Sequence, residues 1–202
     1  MRYCLYTKRK KTMDNKEIFG YIDHTRLSPV STWEEIKQLC NEAITYKTAS
    51  VCIPPCYIEA VKESFPEVRI CTVIGFPLGY MTTAAKVFEA TDAVSKGADE
   101  IDMVVNLCHV KNGQFFEVTN EIKEIKASCR GKTLKVIVEA CYLTEEEKVK
   151  LCKCVTEAGA DFIKTSTGFG TGGATPEDVK LFKENIGENV RIKAAGGIKT
   201  KE

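Results

Sequence analysis

Two periodicities alternate along the chain from Tyr21 onward. Short runs that are apolar, or apolar at every second position, read as strands at Tyr21 to His24, Ser50 to Ile53, Arg69 to Gly75, Glu100 to Asn106, Leu134 to Glu139, Asp161 to Lys164 and Val190 to Lys193. Between them the apolar spacing changes to three and four, as in Ile36, Leu39, Cys40, Ala43 and Ile44, which marks amphipathic helices. Helix starts carry their own chemistry. Ser31 with Glu34 and Thr144 with Glu147 fit capping boxes, and Thr175-Pro176 sets a cap residue ahead of a first-turn proline. Together these signals predict a βα unit repeated seven times.

Strands that alternate with helices form a parallel sheet covered by helices, which leaves a closed barrel or an open doubly wound sheet. At about 25 residues per unit the spacing sits at the compact end of a TIM (β/α)8 barrel. The predicted class is therefore α/β, a TIM (β/α)8 barrel truncated after about seven βα units. The sequence stops at Ile198-Lys199-Thr200-Lys201-Glu202, in what reads as the first turn of a helix. An unclosed barrel would leave two apolar edge strands, hence the expectation of truncation. The domain reading is 18–202 as a barrel lacking its C-terminal strand. Residues 1–17, with Lys8-Arg9-Lys10-Lys11 and a second methionine at Met13, read as a solvated basic tail.

Lys plus Arg number 29 against 28 Asp plus Glu. No overall field then attracts nucleic acid or an anionic membrane, and any anion site must be local. No apolar run approaches the ~18 residues of a spanning helix, and the N-terminus lacks the apolar stretch of a secretory signal. A soluble cytoplasmic protein is expected. The ten cysteines do not change this. Cys40, Cys71, Cys108 and Cys152 lie in apolar periodic segments as small hydrophobes, while Cys52/Cys56 and Cys152/Cys154 form no repeated Cys-x-x-Cys set. His24 and His109 show no ligand spacing with them, so reduced thiols and no structural metal are expected.

Three ionisable side chains stand where a strand normally buries apolar ones: Asp102, Lys164 and Lys193. Burying a charge costs several kcal/mol unless it is paired, so their placement calls for a reason. Residues at strand C-termini of a parallel barrel converge on one face. Two lysines meeting there repel, so one should shed its proton, the state an amine needs to attack a carbonyl and form a Schiff base. An aspartate within reach could move protons. The alternative is a Lys–Asp ion pair at a strand end. After Lys164, Gly168-Phe169-Gly170-Thr171-Gly172-Gly173 satisfies G-x-G-x-x-G, but the acidic residue a dinucleotide site wants about 20 positions on is replaced by Lys193-Ala194-Ala195-Gly196-Gly197. The glycine turns favour a phosphate over a nucleotide. Asp23-His24-Thr25, Cys52 and Glu139 at strand ends, and Lys135 within the fifth strand, are weaker candidates.

Ile22-Asp23-His24-Thr25, Ser50-Val51-Cys52-Ile53-Pro54-Pro55, Glu100-Ile101-Asp102-Met103-Val104, Asp161 to Gly168 and Ile192 to Ile198 together resemble the 2-deoxyribose-5-phosphate aldolases, in order and from about residue 18 to the end. The resemblance implies a TIM barrel and the reversible cleavage of 2-deoxy-D-ribose 5-phosphate to D-glyceraldehyde 3-phosphate and acetaldehyde in deoxyribonucleoside catabolism, without metal or cofactor. It implies Lys164 as the Schiff-base lysine, Asp102 as proton donor and acceptor, and Lys193 as the lysine that depresses the pKa of Lys164. It places Thr167, Gly168, Gly196 and Gly197 at the phosphate, and Asp23, Cys52 and Lys135 in or near the pocket. The implied partner is a small phosphosugar, with no nucleic acid and no membrane, and a homodimer or larger homo-oligomer stays open. The family's eighth strand, with its Gly-Thr-Ser or Gly-Ala-Ser turn, has no counterpart before Glu202. Two rivals remain: a Schiff-base aldolase for keto sugars, and a truncated, catalytically weak phosphosugar-binding barrel.

Overall fold

The structure is a computed structural model in which residues 14–198 are described. Residues 1–13 of the expected tail and Lys199 to Glu202 of the expected last helix lie outside that range. The elements follow one another as α1 (Asn15–Phe19), β1 (Asp23–Thr25), α2 (Trp33–Tyr46), β2 (Ser50–Ile53), α3 (Ile58–Ser64), β3 (Ile70–Ile74), α4 (Thr83–Ser95) and β4 (Glu100–Val104). Then come α5 (Leu107–Lys111), α6 (Phe115–Ser128), β5 (Thr133–Ile137), α7 (Glu145–Glu157), β6 (Phe162–Lys164), α8 (Pro176–Asn185) and β7 (Arg191–Lys193). Part of the expected tail, Asn15 to Glu17, thus lies in α1, capped by Asp14.

All seven strands are parallel and pair in sequence order, β1 through β7. The sheet curls into a partial TIM-type barrel: Lys193 at the end of β7 donates to the Tyr21 carbonyl just before β1 at 2.9 Å. Strand ends are shorter than their apolar runs because the flanking residues leave the ladder to build loops. The capping box of α2 is Thr32 with Glu35, not Ser31 with Glu34. Thr32 accepts from Glu35 N, Glu35 accepts from Thr32 N at 2.9 Å, and the Ser31 hydroxyl turns back to the Ser28 carbonyl at 2.9 Å. That shift of one position directs Ile36, Leu39, Cys40 and Ala43 at the sheet. The caps at Thr144 and Thr175 form as read.

Strand side chains alternate between two faces. One set, including Val51, Ile70, Ile101, Met103, Leu134, Val136 and Ile163, packs with the helices into the main hydrophobic core. The other set faces the barrel axis and is only partly apolar: Cys52, Cys71 and Val73 form a small separate cluster. Glu100, Asp102, Lys135 and Lys164 share this inner face and are buried. The nine described cysteines are free, but Cys108 is exposed on α5 rather than buried as expected, since Val110 carries the buried face of that short helix. Among the described residues no helix is long and apolar enough to cross a membrane.

Candidate active site

The inner face of the sheet carries alternating charges at one level. Asp102 on β4 and Lys135 on β5 are register partners, as are Lys164 on β6 and Lys193 on β7. Asp102, without solvent exposure, holds Lys164 Nζ on one oxygen at 2.6 Å and Lys135 Nζ on the other at 2.9 Å. Lys135 also reaches Glu100 at 2.5 Å, Asp23 at 3.4 Å and Cys71 Sγ at 3.3 Å. Asp23 in turn pairs with Lys193 at 2.8 Å and accepts from the Ser50 hydroxyl at 2.9 Å. Three carboxylates and three ammonium groups thereby neutralise one another inside the barrel, which is what permits their burial.

Above this layer opens a cavity of about 650 Å³. Lys164 and Lys193 form part of its floor together with Asp23, and Thr167, Gly168, Gly196 and Gly197 line its wall. The wall is made by the loops after β6 and β7, which meet backbone to backbone. Ala174 N donates to the Ala195 and Gly196 carbonyls at 3.0 and 3.1 Å, and a Cβ on Gly173 would lie 2.3 Å from the Gly196 oxygen. Gly196 and Gly197 both hold positive φ, +80° and +75°, a conformation that costs glycine nothing. Consecutive glycines in this form turn their N–H groups into a concavity suited to an anion.

Asp102, Lys135 and Cys52 lie one layer below the cavity, Asp102 being the link through its contact with Lys164. Cys52, Cys71 and Asp102 bring donor atoms within 4.8 Å of one another. The ammonium groups already on both Asp102 oxygens leave a metal ion poorly placed there.

Burial alone would raise the Asp102 carboxyl, but the charges of Lys164 and Lys135 outweigh it and hold it down at about 2. Burial would depress Lys164, yet the Asp102 charge outweighs it and raises this amine above the ordinary lysine value. Lys135 is raised likewise, burial being outweighed by its acidic neighbours. This direction for Lys164 is opposite to the lowering by Lys193 that the resemblance implied. Each ammonium has its own carboxylate, Asp102 for Lys164 and Asp23 for Lys193, so their mutual repulsion is compensated.

Several participants escaped the sequence reading. Glu100 stands two positions before Asp102 and so shares its face, a signal that strand alternation offered. Cys71, read as a small hydrophobe, touches Lys135. The rim residues Leu27 and Ser28 had no signal in the sequence, Tyr21 was read only as the start of a strand, and Phe169 only as part of the glycine run. Only the first part of the glycine run serves the cavity: Gly172 and Gly173 line a different cleft beside Cys141.

With this geometry in hand, the relatives are informative. A family model described as DeoC/LacD family aldolase matches residues 11–202. A deoxyribose-phosphate aldolase of Clostridium botulinum (strain Alaska E43 / Type E3) is 59% identical over 191 residues, covering 94% of this chain and 86% of its own. One of Clostridioides difficile (strain 630) is 59% identical over 186 residues, covering 92% and 85%. Among solved structures, the aldolase QR15 superposes with a TM-score of 0.87 at 40% identity over 91% of this chain and 83% of that one. A deoxyribose phosphate aldolase from Aeropyrum pernix, described as tetrameric, gives 0.80 at 32% identity over 92% and 80%.

Proposed function

The chain belongs to the DeoC/LacD aldolase family, and from that premise we propose that it is a class I, Schiff-base lyase that reversibly cleaves 2-deoxy-D-ribose 5-phosphate to D-glyceraldehyde 3-phosphate and acetaldehyde. The observation that carries this reading is the 2.6 Å pair between Lys164 Nζ, at the floor of the cavity, and Asp102 Oδ2 in the layer beneath it.

In this reading the substrate carbonyl, C1 of the open-chain sugar, enters over Lys164. The proton between Lys164 and Asp102 passes to Asp102 as the amine attacks, and Asp102 returns it to the developing alkoxide. Loss of water leaves a protonated imine on Lys164 and the Asp102 carboxylate restored. Acetaldehyde takes C1 and C2, so the bond that breaks is C2–C3. Its electrons flow into the iminium while the relay of Asp102 and Lys193 receives the C3 hydroxyl proton. The enamine left on Lys164 regains a proton at C2 and is hydrolysed to acetaldehyde, and the lysine returns as ammonium. Lys135, paired with Asp102, Asp23 and Glu100, keeps this carboxylate layer in place. The turns at Gly168, Gly196 and Gly197 supply the wall against which the phosphate end rests.

Borohydride reduction in the presence of acetaldehyde should leave a two-carbon adduct on Lys164, read by peptide mass spectrometry. Labelling only by dihydroxyacetone-type ketones would assign the site to a different aldolase, and no adduct at all would leave a binding barrel. A homo-oligomer is the accompanying proposal, supported by the tetramer described for the Aeropyrum pernix relative and by exposed Phe88 and Phe116. Light scattering on the purified chain tests it. A cytoplasmic location accords with the free cysteines among the described residues.

A further inference from the structure

Glu139 follows β5 in a left-handed backbone conformation, φ 51° and ψ 63°, unusual for a residue with a side chain. It is 2% exposed, and among the described residues no cation pairs with it. Both of its carboxylate oxygens go to one residue: Oε1 accepts from Thr167 N at 3.1 Å and Oε2 accepts from the Thr167 hydroxyl. Gly170 closes over this contact, since a Cβ there would meet Glu139 Cδ at 3.1 Å and Cys141 Sγ at 2.9 Å. Thr167 stands between a small cavity of about 70 Å³ that Glu139 borders and the large cavity above Lys164.

A hydroxyl has one proton and two lone pairs. The Thr167 proton is committed to Glu139, and one lone pair accepts from Phe169 N at 3.0 Å. What remains for the large cavity is a single acceptor position. Thr167 can therefore receive a hydrogen bond from a substrate but has no proton to give one, which makes it a poor partner for a phosphate and a good one for a hydroxyl that donates.

We propose that Glu139 is a positioning residue that fixes the hydrogen-bond polarity of Thr167, so that Thr167 meets the substrate as an acceptor and selects an aldehyde bearing a hydroxyl donor. The energetic logic is that Thr167, half-buried in the open cavity, loses its water when substrate covers it, so an acceptor then facing a group without a proton is left unpaired. This rests on the aldolase reading above and assigns a source of acceptor-aldehyde specificity within it.

The test compares kcat/KM in the condensation direction, with acetaldehyde as donor and three acceptors: D-glyceraldehyde 3-phosphate, its analogue with fluorine in place of the 2-hydroxyl, and its analogue with hydrogen there. Wild type should prefer the hydroxyl over both analogues by about ten- to a hundredfold. In Glu139→Gln the amide NH₂ donates to Thr167, freeing the threonine proton to point at the substrate. The fluoro acceptor should then rise to within about threefold of the hydroxyl one and above the hydrogen one. Thr167→Val should flatten the preference altogether. A wild type that uses the fluoro acceptor as well as the natural one overturns the proposal whether or not E139Q folds, and so does an equal loss on all three acceptors in E139Q. The borohydride adduct on Lys164 separates the two levels. If wild type forms no adduct, the aldolase reading fails; if it forms one and the ratios do not move, the role of Glu139 alone fails.

Discussion

Lys86 and Lys164 are both lysines buried against a carboxylate, and they do opposite things. Lys86, on α4, has no exposure and pairs with Glu121 of α6 at 2.9 Å while donating to the Val104 carbonyl at 2.8 Å. Its stem lies over Gly75, where a Cβ would come within 2.7 Å of Lys86 Cε, so nothing can enter. Lys164 pairs more closely with Asp102, yet faces the large cavity. The protonation behaviour differs as well. Burial pulls Lys86 below the ordinary lysine value because Glu121 only partly offsets it, whereas Lys164 is raised by an aspartate that no solvent reaches. A buried ion pair is thus not by itself a reactive site. Lys86 clips two helices to the end of the strand that carries Asp102, and only Lys164 meets a space where a carbonyl could stand.

The comparison breaks most visibly under truncation of each lysine. Lys164→Met should lower kcat by about 10⁴-fold or more and abolish the borohydride adduct. Its stability should stay within roughly 2 kcal/mol of wild type, because Lys135 still neutralises Asp102. Lys86→Met should do the reverse. The uncompensated Glu121 should cost about 3–5 kcal/mol, or roughly 6–20 °C in Tm, by calorimetry. Turnover per folded molecule should stay within about tenfold of wild type. Adding Glu121→Leu should restore most of the lost stability, since an apolar pair does not need the missing charge.

Acid sharpens the contrast at intermediate size. Asp102 has a folded pKa of about 2 against an ordinary 3.8. Its contribution to stability is therefore present above the unfolded value and lost as pH falls from about 4 through about 2, worth roughly 2 kcal/mol. Urea midpoints measured across that range should show a shallower acid decline in Asp102→Asn than in wild type. The smallest effect belongs to an exposed pair of similar geometry, Lys123 with Glu157 at 2.8 Å. Lys123→Ala should move stability by less than about 0.5 kcal/mol, and less still at high salt.

Apolar periodicity determined that the described part of the chain alternates seven strands of one sheet with covering helices, because each strand and helix reports its own burial through local spacing. The same spacing placed Asp102 within its strand, Lys164 and Lys193 at the ends of theirs, and the glycines at 168, 196 and 197 in the loops beyond. Only the tertiary structure decided how the charges are shared. The Lys164–Asp102 contact joins residues 62 positions apart, and the Lys193–Tyr21 contact spans 172. No local pattern says that Lys193 is matched by Asp23, that Cys71 touches Lys135, or that Glu139 accepts from the Thr167 hydroxyl. Nor does helix spacing show that Lys86 is sealed while Lys164 is open. A strand's alternation selects the face a side chain takes, but the curl of the whole sheet selects which other faces it meets there.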